Sequence, residues 1–378
     1  MPRASGNVAD VIDTAAPTRV RSMMRGGVGR LTLDRPESIN ALTQEMLETV
    51  GETLDGWRAE PDVSIVLLQG AGERGFSAGG DIRDLHARIT AGGEAAADSF
   101  FRVEYRVDAA VAEYPKPVVA IADGVTMGGG IGLAGNAHVR IVTERSRLAM
   151  PETRIGFSPD AGGSWLLAHA PGRLGEYLAL TSDTMDAADA IHCRFADHFV
   201  PHDSIESVVD ALEMRADPSS PTELVMLFDE TPPAGPIQRA QPWIDHAFAA
   251  DTVLEIRHRL EQLVASGIGA GEERTPASAL AALDERSPTA LVVSLAAIRS
   301  ARALPSLRHA LEQEYHLMSW YLRTQPDMAE GIRAQVIDKD RQPRWQPATV
   351  AEVPDDTVGR AFAHRAARPL FSETEGRS

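Results

Sequence analysis

Gly124-Val-Thr-Met-Gly-Gly-Gly-Ile-Gly132 is a glycine-rich turn that follows an apolar stretch at residues 118–122. A second such turn, Phe76-Ser-Ala-Gly-Gly-Asp-Ile82, follows the apolar residues 63–68. Glycine lets a backbone approach a ligand closely and leaves N–H groups free to point outward. Two convergent N–H donors can stabilise the oxyanion of an acyl-transfer reaction. Tight packing turns have the same composition, so the two turns predict either an acyl-transfer site or two packing turns.

Short apolar strands alternate with helical periodicity on both sides of these turns. The pattern predicts strands at residues 30–33, 63–68, 118–122 and 139–143, with helices around 46–57 and 95–113. In the first helix the apolar residues Met46, Leu47, Val50, Leu54 and Trp57 share one face. Continuously apolar strands that alternate with helices indicate parallel pairing with both sheet faces covered. The sequence therefore predicts an α/β fold.

Gly130-Ile-Gly-Leu-Ala-Gly135 also matches the dinucleotide-binding pattern G-x-G-x-x-G. That pattern needs a full helix and then a strand that ends in an acidic residue about 20 positions on. Here the next predicted strand begins at Val139, which leaves room for little more than two helical turns. We therefore reject a dinucleotide-binding domain.

Turn signals mark a change in organisation after the first half of the chain. Asp217-Pro-Ser-Ser-Pro221 and Thr231-Pro-Pro-Ala-Gly-Pro236 are proline-rich, and the sequence beyond them has helical periodicity. We predict a core at 18–215, a helical C-terminal region at 216–372, and disordered tails at 1–17 and 373–378. The first tail has no apolar segment typical of a signal peptide, so a cytoplasmic location is expected.

The charge and cysteine content exclude several classes of function. The 378 residues include 54 acidic and 37 basic side chains, for a formal charge of −17. Such a surface repels polyanions, which argues against binding to nucleic acid or to an acidic membrane. The single cysteine, Cys193, excludes an internal disulfide and a cysteine-based zinc site. No carboxylate–histidine motif of a metalloenzyme occurs either, so we expect no metal ion or redox cofactor.

Two acidic residues stand in a third glycine- and proline-rich segment, residues 150–163. Glu152 and Asp160 are candidates for general acid–base catalysis, because burial beside an apolar pocket raises carboxyl pKa values toward neutrality. The alternative is structural, since Asp160 could instead cap a helix that starts near Gly162.

Five blocks together resemble the crotonase (enoyl-CoA hydratase/isomerase) superfamily in their order and spacing. The blocks are Leu33-Asp-Arg-Pro-Glu-Ser-Ile-Asn-Ala-Leu42, Phe76-Ser-Ala-Gly-Gly-Asp81, Lys116-Pro-Val-Val-Ala120, Met127-Gly-Gly-Gly130 and Pro151-Glu152. The resemblance implies a spiral of ββα units with a C-terminal α-helical region over an acyl pocket. It also implies an oxyanion hole for an acyl-CoA thioester, formed by the N–H groups of Gly80 and Gly129. Ala78, Gly79 and Asp81 would then belong to the CoA-binding loop.

The spacing of the acidic residues narrows the resemblance to one branch of that superfamily. Its hydratases carry two catalytic glutamates 20 residues apart; the later one matches Glu152, but residue 132 is glycine. An acid appears instead at Asp160. This pattern is similar to the 3-hydroxyisobutyryl-CoA hydrolases, as are the blocks at residues 100–105, 287–290, 330–334 and 337–340.

The resemblance to these hydrolases implies a reaction and a role for each residue. Glu152 would act as the general base or as the nucleophile. Glu104 and Asp160 would orient the substrate's hydroxyl group, and Asp160 would also assist departure of the thiolate. The substrate would be 3-hydroxyisobutyryl-CoA, from valine breakdown, or a close β-hydroxyacyl-CoA. CoA is then part of the substrate, no cofactor is needed, and a homo-oligomer is possible. Two alternatives stay open: hydration or isomerisation with Glu152 as the sole base, and a non-catalytic acyl-CoA-binding relative.

Overall fold

A computed structural model describes residues 19–214 and 221–371 of the chain. The predicted disordered tails and the predicted domain boundary near residue 215 lie outside these ranges. Nine strands occur in the described ranges: β1 (Val20–Arg25), β2 (Val28–Leu33), β3 (Ile65–Gly70), β4 (Gly75–Ser77), β5 (Val118–Ala122), β6 (Val125–Met127), β7 (Val139–Val142), β8 (Arg147–Ala149) and β9 (His198–Phe199).

Helices connect the strands, and every regular element after β9 in the described residues is helical. In the same ranges the α-helices are α1 (Gln44–Arg58), α2 (Ile82–Thr90), α3 (Glu94–Ala112), α4 (Gly129–Gly135), α5 (Gly163–Ala168), α6 (Leu174–Thr181), α7 (Ala187–His192), α8 (Ile205–Met214), α9 (Pro221–Met226), α10 (Pro236–Phe248), α11 (Val253–Ala265), α12 (Pro276–Glu285), α13 (Pro288–Ala301), α14 (Leu307–Thr324), α15 (Asp327–Ile332) and α16 (Thr357–Ala363). A 3₁₀-helix, Glu152–Ile155, and a π-helical turn, Arg333–Ile337, are also relevant to the site.

The strands form two sheets that the chain visits in turn. The larger sheet has the order β1-β2-β3-β5-β7-β9, with β1 and β2 antiparallel and the other neighbours parallel. The smaller sheet, β4-β6-β8, is parallel. The chain passes from β3 to β4, from β5 to β6 and from β7 to β8, so each step moves from the larger sheet to the smaller one. This alternation is the spiral of ββ units, and it confirms the predicted α/β fold.

The central strands are buried on both faces, as their apolar composition predicts. In β3, Val66 and Leu68 belong to the main hydrophobic core, whereas Ile65 and Leu67 belong to a second cluster. Successive strand side chains point to opposite faces, so one strand serves two cores. The second cluster is closed by α8 and α9, which contribute Val208, Val209, Leu212, Leu224 and Val225. The apolar face predicted for α1 is the one that is buried.

The helical C-terminal region packs closely on the segment that follows β8. A Cβ atom added at Gly331 of α15 would lie 2.5 Å from the carbonyl carbon of Ile155, and one added at Gly156 would meet the Asp327 carbonyl. These two glycines therefore allow α15 to touch the backbone of the 3₁₀-helix that begins at Glu152. In addition, α14 packs along α3. Among the helices of the described residues, none is long and apolar enough to span a membrane.

Candidate active site

The N–H groups of Gly80, in one glycine-rich turn, and of Gly129, in the other, have no acceptor among the described residues. Three neighbouring N–H groups are bonded: Gly79 to Ser77 Oγ (3.2 Å), Asp81 to the Leu42 carbonyl (2.8 Å) and Gly128 to the Ala149 carbonyl (3.3 Å). Because buried N–H groups normally find a partner, this pair is available to a ligand. The geometry fits an oxyanion hole.

Glycine is required where these two turns meet. Gly79 has φ of 88°, and a Cβ atom there would lie 2.7 Å from the Met127 carbonyl oxygen and 3.3 Å from the Gly129 nitrogen. A larger residue would push the turns apart and separate the two N–H donors. The glycines thus set the spacing of the pair.

A cavity of about 70 Å³ lies beside these donors. It brings together the site residues predicted from the sequence: Ala78, Gly79, Gly80, Asp81, Glu104, Gly129, Glu152 and Asp160. Its apolar wall consists of Ile82, Leu85, Phe100, Phe101, Ile155 and Phe157. Residues from β4 to the loop after the 3₁₀-helix, 78 to 160, therefore form one pocket.

Glu104 points from α3 toward both glycine donors. Its side chain is 3% exposed, and its Oε1 atom would lie 3.9 Å from a Cβ at Gly80. A Cβ at Gly129 would overlap the same carboxyl group. Burial, followed by the negative charges of Asp160 and Glu314, raises the pKa of Glu104 well above its ordinary value. A carboxyl group therefore lies beside the N–H pair.

Glu152 begins the 3₁₀-helix and is buried against the second turn. Its Oε1 atom would lie 3.2 Å from a Cβ at Gly128, and its Oε2 atom has no hydrogen-bond partner among the described residues. Burial raises the pKa of Glu152 well above its ordinary value, and the neighbouring charge of Asp160 adds to this effect. A buried carboxyl group with a free oxygen and a raised pKa suits general-base or nucleophilic chemistry.

Asp160 is held in place by Tyr105, whose hydroxyl group donates to Oδ2 at 2.6 Å. Burial raises the pKa of Asp160 to about 7, while the Tyr105 hydrogen bond opposes the increase. The alternative in which Asp160 caps the next helix is wrong, because no side chain of that turn caps α5. The Asp160 carboxyl group instead faces the cavity.

The cap of α5 comes from Glu314 of α14, a residue that the sequence did not single out. Glu314 accepts the N–H groups of Gly162 (2.7 Å) and Ser164 (2.9 Å) and is almost fully buried. Burial raises the pKa of Glu314 to about 8, and these hydrogen bonds oppose the increase. No motif could have revealed this contact, which joins residues 150 positions apart.

Asp81 lines the cavity, but its carboxyl group is already engaged. It accepts from Arg35 Nη1 at 2.6 Å and caps α2 through the N–H groups of Arg83 and Asp84. These contacts fix the turn that carries Gly80. In the predicted CoA-binding loop, the Gly80 N–H group is thus free to contact a ligand, whereas the Asp81 carboxyl group is not.

Asp108 is a second residue near the site that was not identified from the sequence. It lies one helical turn beyond Glu104 on α3. It is completely buried, and neither of its carboxyl oxygens has a hydrogen-bond partner among the described residues. Its Oδ1 atom would lie 2.7 Å from a Cβ atom at Gly132. The space beside Gly132 is therefore occupied by the Asp108 side chain of α3. A hydratase of this superfamily would carry its second glutamate at this position.

The comparisons with known proteins agree with this fold. The family described as enoyl-CoA hydratase/isomerase matches residues 28–362. The chain belongs to this family, the crotonase superfamily.

Several relatives are similar over nearly the whole chain. The chain is 33% identical to the mitochondrial 3-hydroxyisobutyryl-CoA hydrolase of Gallus gallus, over 93% of this chain and 89% of that one. It is 35% identical to the hydrolase of the same name from Danio rerio, over 91% and 89%. The crystal structure of a carnitinyl-CoA dehydratase from Mycobacterium thermoresistibile superposes with a TM-score of 0.86, at 42% identity over 94% and 99% of the two chains.

Proposed function

We propose that this protein hydrolyses the thioester of 3-hydroxyisobutyryl-CoA, or of a close β-hydroxyacyl-CoA, to the free hydroxy acid and CoA. The related hydrolases from Gallus gallus and Danio rerio support this activity by their names, whereas the structural relative is named a dehydratase. The site must therefore decide between hydrolysis and hydration.

The observation that carries the proposal is the glycine at position 132. Two-glutamate hydration needs a carboxyl group there, and here a side chain at 132 would collide with Asp108 Oδ1 and with the Ala161 Cβ atom at 2.9 Å. With Glu152 as the one acid at the matched positions, activation of a single water for attack on the thioester is the chemistry that fits.

In the proposed reaction, the N–H groups of Gly80 and Gly129 bind the thioester carbonyl oxygen and stabilise the negative charge that develops on it. Glu152 takes the proton of the attacking water, the C–S bond breaks, and the departing CoA thiolate receives a proton. Asp160 is placed to help supply that proton because its pKa of about 7 makes both of its protonation states accessible.

A second route uses the same geometry. Glu152 attacks the carbonyl carbon directly, CoA leaves, and water hydrolyses the resulting anhydride. The two routes differ in the oxygen that enters the product. When water attacks the Glu152 carbonyl carbon of the anhydride, a single turnover in ¹⁸O water leaves the label in Glu152, whereas the general-base route places it in the product.

The preference for a β-hydroxyacyl group is assigned to Glu104 and Asp160. Both carboxyl groups line the cavity, and their oxygens can accept a hydrogen bond from the substrate hydroxyl. Phe100, Phe101 and Phe157 supply the apolar wall for the carbon chain.

A thiol-release assay tests the proposal. The protein should liberate CoA from 3-hydroxyisobutyryl-CoA, while crotonyl-CoA should show little hydration. Rapid hydration of crotonyl-CoA without thiol release would assign the protein to hydration instead. Binding of both substrates without turnover would identify a non-catalytic acyl-CoA-binding protein.

We further propose that the reaction needs no metal ion or cofactor beyond the CoA of the substrate. Thiol release should then be unchanged after dialysis against EDTA, and recovery of lost activity by added Mg²⁺ or Zn²⁺ would contradict this.

A cytoplasmic location and a homo-oligomeric state are also retained as proposals, to be checked by cell fractionation and by light scattering. The relatives' names place those proteins in mitochondria.

A further inference from the structure

We propose that Asp108 carries a proton in the working enzyme and that its ionisation sets the alkaline limit of activity. Asp108 would then be a positioning residue, which acts through the charge state of Glu104 and Asp160 and does not touch the reacting atoms. This inference deepens the proposed hydrolase function and rests on it for its kinetic part.

The first support is that no donor at this position would stabilise a negative charge on the Asp108 carboxyl group. Asp108 has no exposed surface, and neither carboxyl oxygen meets a donor from the described residues. An isolated carboxylate in such a place carries a desolvation cost of several kcal/mol, whereas a neutral carboxylic acid avoids most of it. The proton is therefore retained.

The surrounding elements add only negative charge. Within α3 the neighbour is Glu104, the loop before α5 contributes Asp160, and α14 contributes Glu314. In contrast, α4 contains no titratable residue, and the buried side chains of α1 and α2 are apolar. Burial, and then these three like charges, raise the pKa of Asp108 well above its ordinary value.

The hydrogen bonds in this cluster favour ionisation of some of its carboxyl groups over others. Asp160 accepts from Tyr105, and Glu314 accepts two backbone N–H groups, all of which favour their ionised forms. Asp108 has no such donor. Since closely spaced buried carboxyl groups cannot all ionise, Asp108, whose two oxygens are both enclosed without a donor, stays neutral.

Ionisation of Asp108 at higher pH would place a further fixed charge beside Glu104 and Asp160. That charge would oppose the oxyanion developing at Gly80 and Gly129, and it would shift protons among the neighbouring acids. We therefore expect thiol release to decline on the alkaline side as Asp108 loses its proton.

The kinetic test uses Asp108→Asn, which has the shape of the protonated acid and cannot ionise. At pH 6 to 7 its kcat/KM for 3-hydroxyisobutyryl-CoA should stay within about threefold of the wild-type value, equivalent to less than ~0.7 kcal/mol. On the alkaline side of the wild-type profile it should retain activity that the wild type loses. A loss of more than about tenfold at pH 7, or an unchanged alkaline decline, would overturn the proposal.

A second test needs no substrate, so its outcome is independent of the proposed function. An acid whose pKa is higher in the folded than in the unfolded chain stabilises the fold at low pH and loses this contribution as pH rises above about 4. The melting temperature of Asp108→Asn should therefore gain on the wild type by roughly 1–3 °C per pH unit as the pH rises above about 5, until Asp108 itself ionises. A constant difference, or a variant that does not fold, would also overturn the inference.

Asp189→Asn is the matched control. Asp189 is also fully buried, and burial raises its pKa to about 6, but it caps α10 outside the site. This variant should change the pH dependence of melting without moving the alkaline decline of activity. If Asp189→Asn moved that decline as far as Asp108→Asn, the effect would be one of stability and the role of Asp108 would be withdrawn. Absence of thiol release in every form would contradict the hydrolase function while leaving the melting result intact.

Discussion

Of the two described parts of the chain, residues 19–214 supply every residue that lines the 70 Å³ cavity. Residues 221–371 do not line the cavity but pack against the segments that form it. The first region contributes free N–H groups and carboxyl groups. The second contributes Glu314, which holds the turn after Asp160, and Gly331, which packs on the segment after Glu152. Chemistry and positioning are thus separated along the chain, and substitutions in the two regions should have different signatures.

The largest effect is expected in the first region, at Glu152. The substitution Glu152→Gln keeps the shape and removes the proton acceptor, so kcat should fall by at least ~10² with little change in substrate affinity. Because a base must be ionised to act and burial raises its pKa, wild-type kcat should also decline toward low pH. Steady-state thiol release across pH measures both. Near-normal turnover of the variant would move the chemistry to another residue.

An intermediate effect is expected at Glu104, where substrate choice can be separated from chemistry. At a pH where Glu104 is ionised, it is a charged acceptor for the substrate hydroxyl and contributes roughly 1.5–3 kcal/mol. Under these conditions Glu104→Gln should lower kcat/KM for 3-hydroxyisobutyryl-CoA about ten- to a hundredfold. Isobutyryl-CoA lacks the hydroxyl group and should be affected far less. If both substrates decline equally, Glu104 has a structural role and does not select the substrate.

The smallest catalytic effect is expected from the second region, at Glu314. A glutamine offers one carbonyl oxygen where two N–H groups need acceptors, so Glu314→Gln should destabilise the fold by about 1–3 kcal/mol. The displaced Asp160 turn should lower kcat/KM by about tenfold. Glu312→Gln removes the same charge from the same helix at a partly buried position and should change neither quantity. Thermal melting and thiol release of the two variants test whether the second region positions the site. Equal effects of Glu314→Gln and Glu312→Gln would contradict this role.

Long, strongly patterned elements could be predicted from the sequence, and short ones could not. The apolar face of α1 and the extent of β5 match the expectation from their patterns. The strands β4, β6 and β8 were missed because three residues are too few to show an alternating pattern. α2 was missed because Leu85 is its only buried residue, which leaves no apolar stripe.

The same distinction applies to the site. The glycine turns and Glu152 could be predicted because each belongs to a short local motif, and the order and spacing of these motifs are visible in the sequence. Asp108 and Glu314 could not, because an isolated acid on a helix has the pattern of an exposed surface residue. Their burial arises only when α14 and α4 pack against α3 and the Asp160 turn. Contacts between residues so far apart in the sequence form only in the tertiary structure and leave no local pattern in a single sequence.

The contact between Gly132 and Asp108 also constrains how this protein could change. A glutamate introduced at 132 would need the volume that Asp108 Oδ1 and the Ala161 Cβ atom now occupy, at 2.7 and 2.9 Å from the new Cβ. The substitution would therefore be harmful by itself and tolerable only after residue 108 had become smaller. Such dependence of one substitution on another makes the order of mutations matter: a path toward two-glutamate chemistry would start on α3 and reach α4 afterwards.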